Sequence, residues 1–222
     1  MTESNALSKK MENEVLENHE RYMARKALYR EYGYDAEGER DFVIKKAHPI
    51  SGAILEAGTG KGYFTLALAQ KGFNFTSFDI SEAEQKYARL NLIYHGCEQQ
   101  VRFDIADAES LAYEDRCFDI IFTINMVHHL SCARKVFDEL IRVLTPSGKL
   151  VVSDLNRQGL AIMDKIHAHD GGQHHVGAGT LSDVGKMLVE RGFEVKLHSG
   201  VSQDTLIAKT CRGCIIPGHT TN

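Results

Sequence analysis

The sequence predicts an α/β fold: a doubly wound, mostly parallel sheet that ends in a C-terminal antiparallel hairpin, with a helical cap ahead of it. Three observations carry that expectation. From Gly52 onward, short apolar segments alternate with amphipathic ones in strand–helix order, the pattern of βα units. Phe118–Ile124 is almost uninterrupted apolar, as a central parallel strand covered on both faces must be. Glycines or acids follow successive apolar segments, on the side where open α/β sheets bind ligands. With 222 residues, 43% of them hydrophobic, the chain can bury a core as a single domain, 1–222.

Residues 1–50 are expected to form the cap. They are rich in helix formers, and Met11, Val15, Tyr22, Met23 and Tyr29 make a weak helical stripe. Four of the eight tyrosines, Tyr22, Tyr29, Tyr32 and Tyr34, fall in this segment, so residues 10–34 are expected to cover a pocket with Tyr22, Tyr29 or Tyr34 facing it. Residues 51–210 form the core. Ala53–Leu55 reads as a strand ending at Glu56, followed by a glycine-rich turn and a helix through Phe64, Leu66 and Leu68 that Gly72 closes. Phe73–Asp79 is the second strand. Ser81 and Glu84 have capping-box spacing, and the helix they open should bury Ala83, Tyr87, Leu90 and Tyr94 and stop at Gly96.

Val101–Ala106 and Phe118–Ile124 follow as strands, then a helix from Ser131 to Leu144 stopped by Pro146 and Gly148, then a strand over Lys149–Asp154. Residues 156–179 read as a polar loop. A helix over Leu181–Arg191, capped by Thr180, precedes two strands, Phe193–His198 and Asp204–Lys209, expected as a hairpin. Residues 211–222 read as a flexible tail.

Composition narrows function. The net charge of −4 argues against a broad grip on nucleic-acid phosphates. No apolar run reaches the length of a membrane span, and the first residues lack a secretory signal. Five scattered cysteines read as reduced thiols of a cytoplasmic protein.

The chemistry concentrates at strand ends. In Ile54-Leu55-Glu56-Ala57-Gly58-Thr59-Gly60-Lys61-Gly62, glycines allow a tight turn and close approach of backbone to a ligand. A dinucleotide fingerprint would place its third glycine at position 63, which is Tyr63. Asp79, about 20 residues on, can accept from both hydroxyls of a ribose. Asp107-Ala108 ends the third strand, where an acid can accept from the amine of adenine, and Asn125-Met126 follows the fourth.

Taken together, these motifs resemble those of the class I S-adenosylmethionine-dependent methyltransferases, in the branch of ubiquinone, menaquinone and small-molecule enzymes. Glu56–Gly62 is similar to that family's first motif and Phe78-Asp79-Ile80-Ser81 to its second. Asp107–Leu111 with Phe118–Ile121 resembles the third, Asn125–Leu130 the fourth, and Leu140–Leu150 the helix–turn–strand that follows. The resemblance covers residues 50–155 densely and 180–209 loosely. It implies a Rossmann-like seven-stranded sheet and S-adenosylmethionine as cofactor, with S-adenosylhomocysteine as product. It also implies that Glu56 and the backbone of Gly58, Gly60 and Gly62 hold the methionine part, that Asp79 takes the ribose, that Ile80 packs on adenine, that Asp107 and Ala108 read its edge, and that Asn125 and Met126 complete the site.

The acceptor side is less determined. Six of the eleven histidines, His128, His129, His167, His169, His174 and His175, follow the fourth and fifth strands and can line one pocket. His128, His129 and His174 are the candidate catalytic residues, to take a proton or orient an acceptor. No Cys or carboxylate pattern accompanies them, so no metal ligands are assigned, although Asp154 and Asp170 are possible carboxylate partners. Cys211 and Cys214 form a lone C-x-x-C in the tail. The expected partner is a small-molecule acceptor, with no nucleic acid and no membrane. Two other functions fit a glycine-rich turn on such a sheet: a nicotinamide-dependent oxidoreductase, and a non-catalytic cofactor-binding protein. Tyr22 and Lys26 have the spacing of some reductases but precede the turn rather than following it.

Overall fold

The structure is a computed structural model that describes residues 3–174, 176–177 and 179–210, with side chains from residue 8 onward. Seven strands, β1 Ile54–Ala57, β2 Phe75–Asp79, β3 Val101–Ile105, β4 Phe118–Ile124, β5 Leu144–Leu155, β6 Phe193–Ser199 and β7 Gln203–Thr210, form one sheet in the order β3-β2-β1-β4-β5-β7-β6. The first five are parallel, and β7 runs antiparallel between β5 and β6. The predicted hairpin is therefore present, with its second strand inside and its first at the edge. Burial explains the order: β7 is apolar at Leu206, Ile207 and Ala208, whereas β6 buries little beyond Phe193.

Helices cover both faces. α1 Glu3–Glu31 and α2 Ala36–Ala47 form the cap, followed by α3 Tyr63–Gln70, α4 Glu82–Tyr94, α5 Ala133–Val143, α6 Arg157–His169 and α7 Leu181–Glu190. α5 and α7 bring Phe137, Leu140, Val184 and Leu188 onto one face with Leu55, Ile121, Leu150 and Leu206. α2, α3 and α4 bring Val43, Ile44, Phe64, Leu68 and Leu92 onto the other with Ile120, Phe122 and Val151.

Three expectations need correction. Residues 156–179 are not a continuous loop, because 157–169 form α6. Its N-cap, Asn156, accepts from the backbone N–H of Gln158 and Gly159, and Ile162, Met163 and Ile166 bury against Tyr34 and Ala36 of the cap. Gly159 is required there, since a Cβ would stand 2.1 Å from the Ser202 carbonyl oxygen.

The inner face of α4 is not the predicted apolar one. Leu90 is buried as expected and Tyr87 half-buried, but Ala83 and Tyr94 are exposed, and Gln85, Ala88, Asn91 and Leu92 are buried instead. Gln85 donates to Thr59 Oγ1 and to the Asp104 carbonyl, and Asn91 donates to the Lys61 carbonyl and accepts from Asn18 of α1. Polar side chains are inside because they tie the glycine-rich turn and the cap to α4. On α1, likewise, Val15 and Asn18 are buried, while Met11 and Met23 lie in solvent.

The strand predicted over Lys149–Asp154 begins earlier. α5 ends at Val143 and β5 starts at Leu144, with a register shift against β4 between Phe118 and Ile120 that absorbs Pro146 and Gly148. The tail, with Cys211 and Cys214, lies outside the described residues, as does His175. Among the described residues, no helix is long and apolar enough to cross a membrane.

Candidate active site

The carboxyl ends of β1, β2, β4 and β5 open onto a cavity of about 340 Å³, within the range of roughly 300–1,000 Å³ common for ligand pockets. One end is lined by Glu56, Gly58, Gly60 and Asp79, the other by His128, His129, His167 and His174, with Tyr29, Tyr34 and Arg40 of the cap over it. A larger cavity, of about 500 Å³, lies between α1 and α4 and shares only Lys61 and Tyr63 with the first. Tyr22 belongs to that second cavity, stacked on Tyr63, so of the three cap tyrosines expected at the pocket, Tyr29 and Tyr34 line it.

Hydrogen bonds fix the glycine-rich turn. The N–H groups of Gly58 and Thr59 both donate to the Phe78 carbonyl, and Thr59 Oγ1 lies 2.6 Å from Ser77 Oγ. Asp79 Oδ2 accepts from the Gly60 N–H at 2.7 Å, and Oδ1 accepts from the Ser81 N–H at 2.9 Å. That second bond replaces half of the predicted capping box: Ser81 Oγ accepts from the Glu84 N–H, but the Ser81 N–H is already taken by Asp79. A carboxylate has about four acceptor positions, so Asp79 retains capacity for a ligand's hydroxyls.

Glu56 is buried at the end of β1, and its Oε2 accepts from Thr65 Oγ1 at 2.7 Å and Ser77 Oγ at 2.6 Å. Burial pushes its carboxyl up to about 7; the neighbouring Asp79 adds to the rise and the two hydroxyls oppose it. Arg40, also buried, places its guanidinium 4.9 Å from the centre of the Tyr63 ring and takes part in none of the ion pairs among the described residues.

At the other end, the short turn Val127–His129 follows β4. Asn125 starts it with φ of +54°, a left-handed conformation that Asn tolerates better than most residues. Its Oδ1 accepts from Gln203 Nε2, which also donates to the Tyr34 hydroxyl. Burial pushes the Tyr34 phenol up to about 12, so it remains an OH. Asp154, at the end of β5, accepts from the His128 backbone N–H at 2.8 Å and pairs with its Nδ1. Asp170, the other carboxylate considered, instead pairs with Arg25 on the surface. The segment carrying His174 docks on the same turn: the Gly177 N–H donates to the His128 carbonyl at 2.6 Å, and a Cβ on Gly179 would meet the Val127 carbonyl oxygen at 2.8 Å. Burial lowers the pKa of the His174 imidazolium below its usual range, which favours the neutral ring.

A family description reading "Methyltransferase domain" matches residues 51–190, which takes in this cavity's floor and both of its ends. The chain belongs to the methyltransferase-domain family. It is 34% identical over 127 residues to the ubiquinone biosynthesis O-methyltransferase of Xylella fastidiosa, covering 55% of this chain and 50% of that one. It is 31% identical over 109 residues to the norajmaline N-methyltransferase of Rauvolfia serpentina, covering 49% and 37%. The chain thus spans about half the length, or less, of these curated relatives. A crystal structure of an S-adenosylmethionine-dependent methyltransferase from Aquifex aeolicus shares the fold, with a TM-score of 0.60 and 20% identity over 78% of this chain and 89% of that one.

The remaining predicted site residues of this methyltransferase domain divide by location. Asn125 and Met126 line the cavity, and a Cβ on Gly58 would reach to 3.0 Å of Met126 Sδ. Gly60 faces open space. Gly62 serves packing: a Cβ there would stand 2.4 Å from Ala88 Cβ, so glycine lets α3 approach α4. Ile80, 70% exposed, lies outside the cavity lining together with Asp107 and Ala108, and Asp107 Oδ1 accepts from the Glu109 N–H. His169 faces the second cavity. Sequence reasoning missed Arg40 and Gln203, whereas Asp154, expected as a possible carboxylate partner of the histidines, does pair with His128. For Arg40 no local signal existed; Asp154 was visible as another acid ending a strand.

Proposed function

We propose that this chain is an S-adenosylmethionine-dependent methyltransferase that transfers the methyl group in line to a small-molecule acceptor. The observation that carries the reading is the single cavity whose carboxylate-and-glycine end faces its histidine end. Glu56 and Arg40 offer opposite charges to the ammonium and carboxylate of the cofactor's methionine part, and Asp79 offers acceptors to its ribose. Ile80, Asp107 and Ala108 form an open rim beyond Asp79 that suits adenine. With the nucleoside on that side, the sulfonium methyl would face the end of the cavity lined by His128, His129 and His174.

The acceptor's lone pair forms the new bond to the methyl carbon as the carbon–sulfur bond breaks, and the thioether product leaves. The sulfonium is already activated, so the protein contributes mainly alignment, for which roughly 7–11 kcal/mol is attainable. Tyr29 and Tyr34 line the cavity from the cap side and would limit the water around a bound cofactor. A cavity of about 340 Å³ suits a small acceptor rather than a nucleic acid, in keeping with the net charge of −4. Free Cys97, Cys117 and Cys132 suit the cytoplasm. The relatives' names include both an O- and an N-methyltransferase, so the acceptor atom is set by residues outside the shared motifs.

Calorimetry should show S-adenosylmethionine and S-adenosylhomocysteine binding while NADH does not, and a small-molecule screen read by S-adenosylhomocysteine release should find an acceptor. NADH binding in place of S-adenosylmethionine would overturn the reading.

A further inference from the structure

His128, His129 and His174 offer ring nitrogens that all lie within 4.8 Å of one another. The His128 ring centroid is 3.9 Å from that of His129 and 5.3 Å from that of His174. A tetrahedral zinc-type ion with bonds of about 2.0–2.1 Å to nitrogen needs its ligand atoms roughly 3.3 Å apart, so the rings need draw in by no more than about 1.5 Å. Two of the rings are already held by a carboxylate at Nδ1, which leaves Nε2 available as a ligand. His128 Nδ1 pairs with buried Asp154, and His174 Nδ1 lies 3.2 Å from Asp164 Oδ1 on α6. A carboxylate on Nδ1 fixes the tautomer, directs Nε2 at the ligand position and raises its basicity, the outer arrangement found around metal-bound histidines. The carboxylate pattern that the linear sequence lacks is supplied by β5 and α6.

We propose that His128, His129 and His174 form a site for one divalent transition metal of the zinc class, with Asp154 and Asp164 as positioning residues and a fourth position open to the cavity. Three neutral nitrogen ligands with an open position are the pattern of sites that bind a substrate or water, not of closed structural sites. Nitrogen donors favour zinc, cobalt or nickel over magnesium or calcium. Buried Asp154 offsets part of the ion's charge. If the methyl-transfer reading also holds, the open position takes an acceptor hydroxyl or thiol: the metal lowers its pKa, its proton passes to solvent, and the resulting anion attacks the methyl carbon.

The test uses the untagged full-length chain, stripped with chelator and titrated with Zn²⁺ and with Co²⁺. One equivalent should bind, and Co²⁺ should give the visible absorption of a tetrahedral site. His129→Ala and His174→Ala should abolish stoichiometric binding. Asp154→Asn should weaken it about 10- to 100-fold. Cys211→Ser with Cys214→Ser should leave it unchanged. Absence of stoichiometric metal, binding that survives both His129→Ala and His174→Ala, or binding that is lost with the cysteines would overturn the proposal. Calorimetry with S-adenosylmethionine on the stripped chain reads the methyltransferase proposal separately: cofactor binding without metal binding sinks only the metal site, and the reverse sinks only the cofactor assignment.

Discussion

At one end of the cavity, Glu56, Gly58, Gly60 and Asp79 come from two adjacent strands and the turn between them, all within one βαβ unit. At the other, His128 and His129 come from the turn after β4, Asp154 from the end of β5, and His174 from the segment between α6 and α7. The first end is a local structure whose hydrogen bonds run between near neighbours, Gly60 to Asp79 and Thr59 to Ser77. The second exists only when separate elements have docked, through bonds such as Gly177 N–H to the His128 carbonyl. A local motif keeps its geometry while its surroundings change, so one family can conserve a cofactor and vary what it methylates.

The largest effects should separate the two ends. His129→Ala and His174→Ala should lower turnover about 10²- to 10⁴-fold, whether the imidazoles hold a metal or take the proton themselves. Affinity for S-adenosylmethionine, measured by calorimetry, should stay within about twofold; an equal loss of cofactor affinity would mean that the ends are not independent. Asp79→Ala is the reciprocal change. Losing a charge-assisted hydrogen bond worth roughly 1.5–3 kcal/mol should weaken the cofactor about 10- to 150-fold. Unchanged affinity in a folded variant would remove Asp79 from the site.

A smaller effect concerns pH. The Glu56 carboxyl is raised to about 7, and a bound ammonium favours its ionised form. Cofactor affinity should therefore fall about tenfold per unit as pH drops below 7, and Glu56→Gln should flatten the dependence. Stability of the ligand-free chain should run the other way. A carboxyl raised from 4.5 to about 7 contributes fully below its ordinary value and loses that contribution as pH rises through 7, on the order of 3 kcal/mol. Thermal melts across pH 5 to 8 with and without S-adenosylmethionine would show both signs. A pH-independent affinity in the unsubstituted chain would place the ammonium elsewhere.

The smallest effects are matched controls. Ser81→Ala removes the cap of α4 beside the cofactor end, and Thr180→Ala removes the cap of α7, distant from it. Each should cost about 1 kcal/mol in denaturant unfolding. Only the first should also loosen cofactor binding, because fraying of the α4 start shifts the Ser81 backbone N–H that holds Asp79.

From the sequence alone came the βα alternation, the central strand Phe118–Ile124, the terminal hairpin, and the acids and glycines at strand ends. Each rests on a signal spanning only a few residues: apolar runs, caps such as Ser81 and Thr180, and glycines that must adopt positive φ, as Gly58 does at +84°. Tertiary structure alone decided the rest. Gln85 and Asn91 are buried because their amides satisfy backbone groups of a distant turn, which no helical periodicity reveals. α6 was hidden because Ile162, Met163 and Ile166 find their apolar partners in the cap, more than 120 residues earlier in the chain. His128, Asp154 and His174 become one cluster because parallel β4 and β5 set their carboxyl ends side by side and glycines 177 and 179 let the chain lie against that edge. A contact between residues far apart in sequence leaves no local pattern, since its stabilisation appears only after the intervening chain has been ordered.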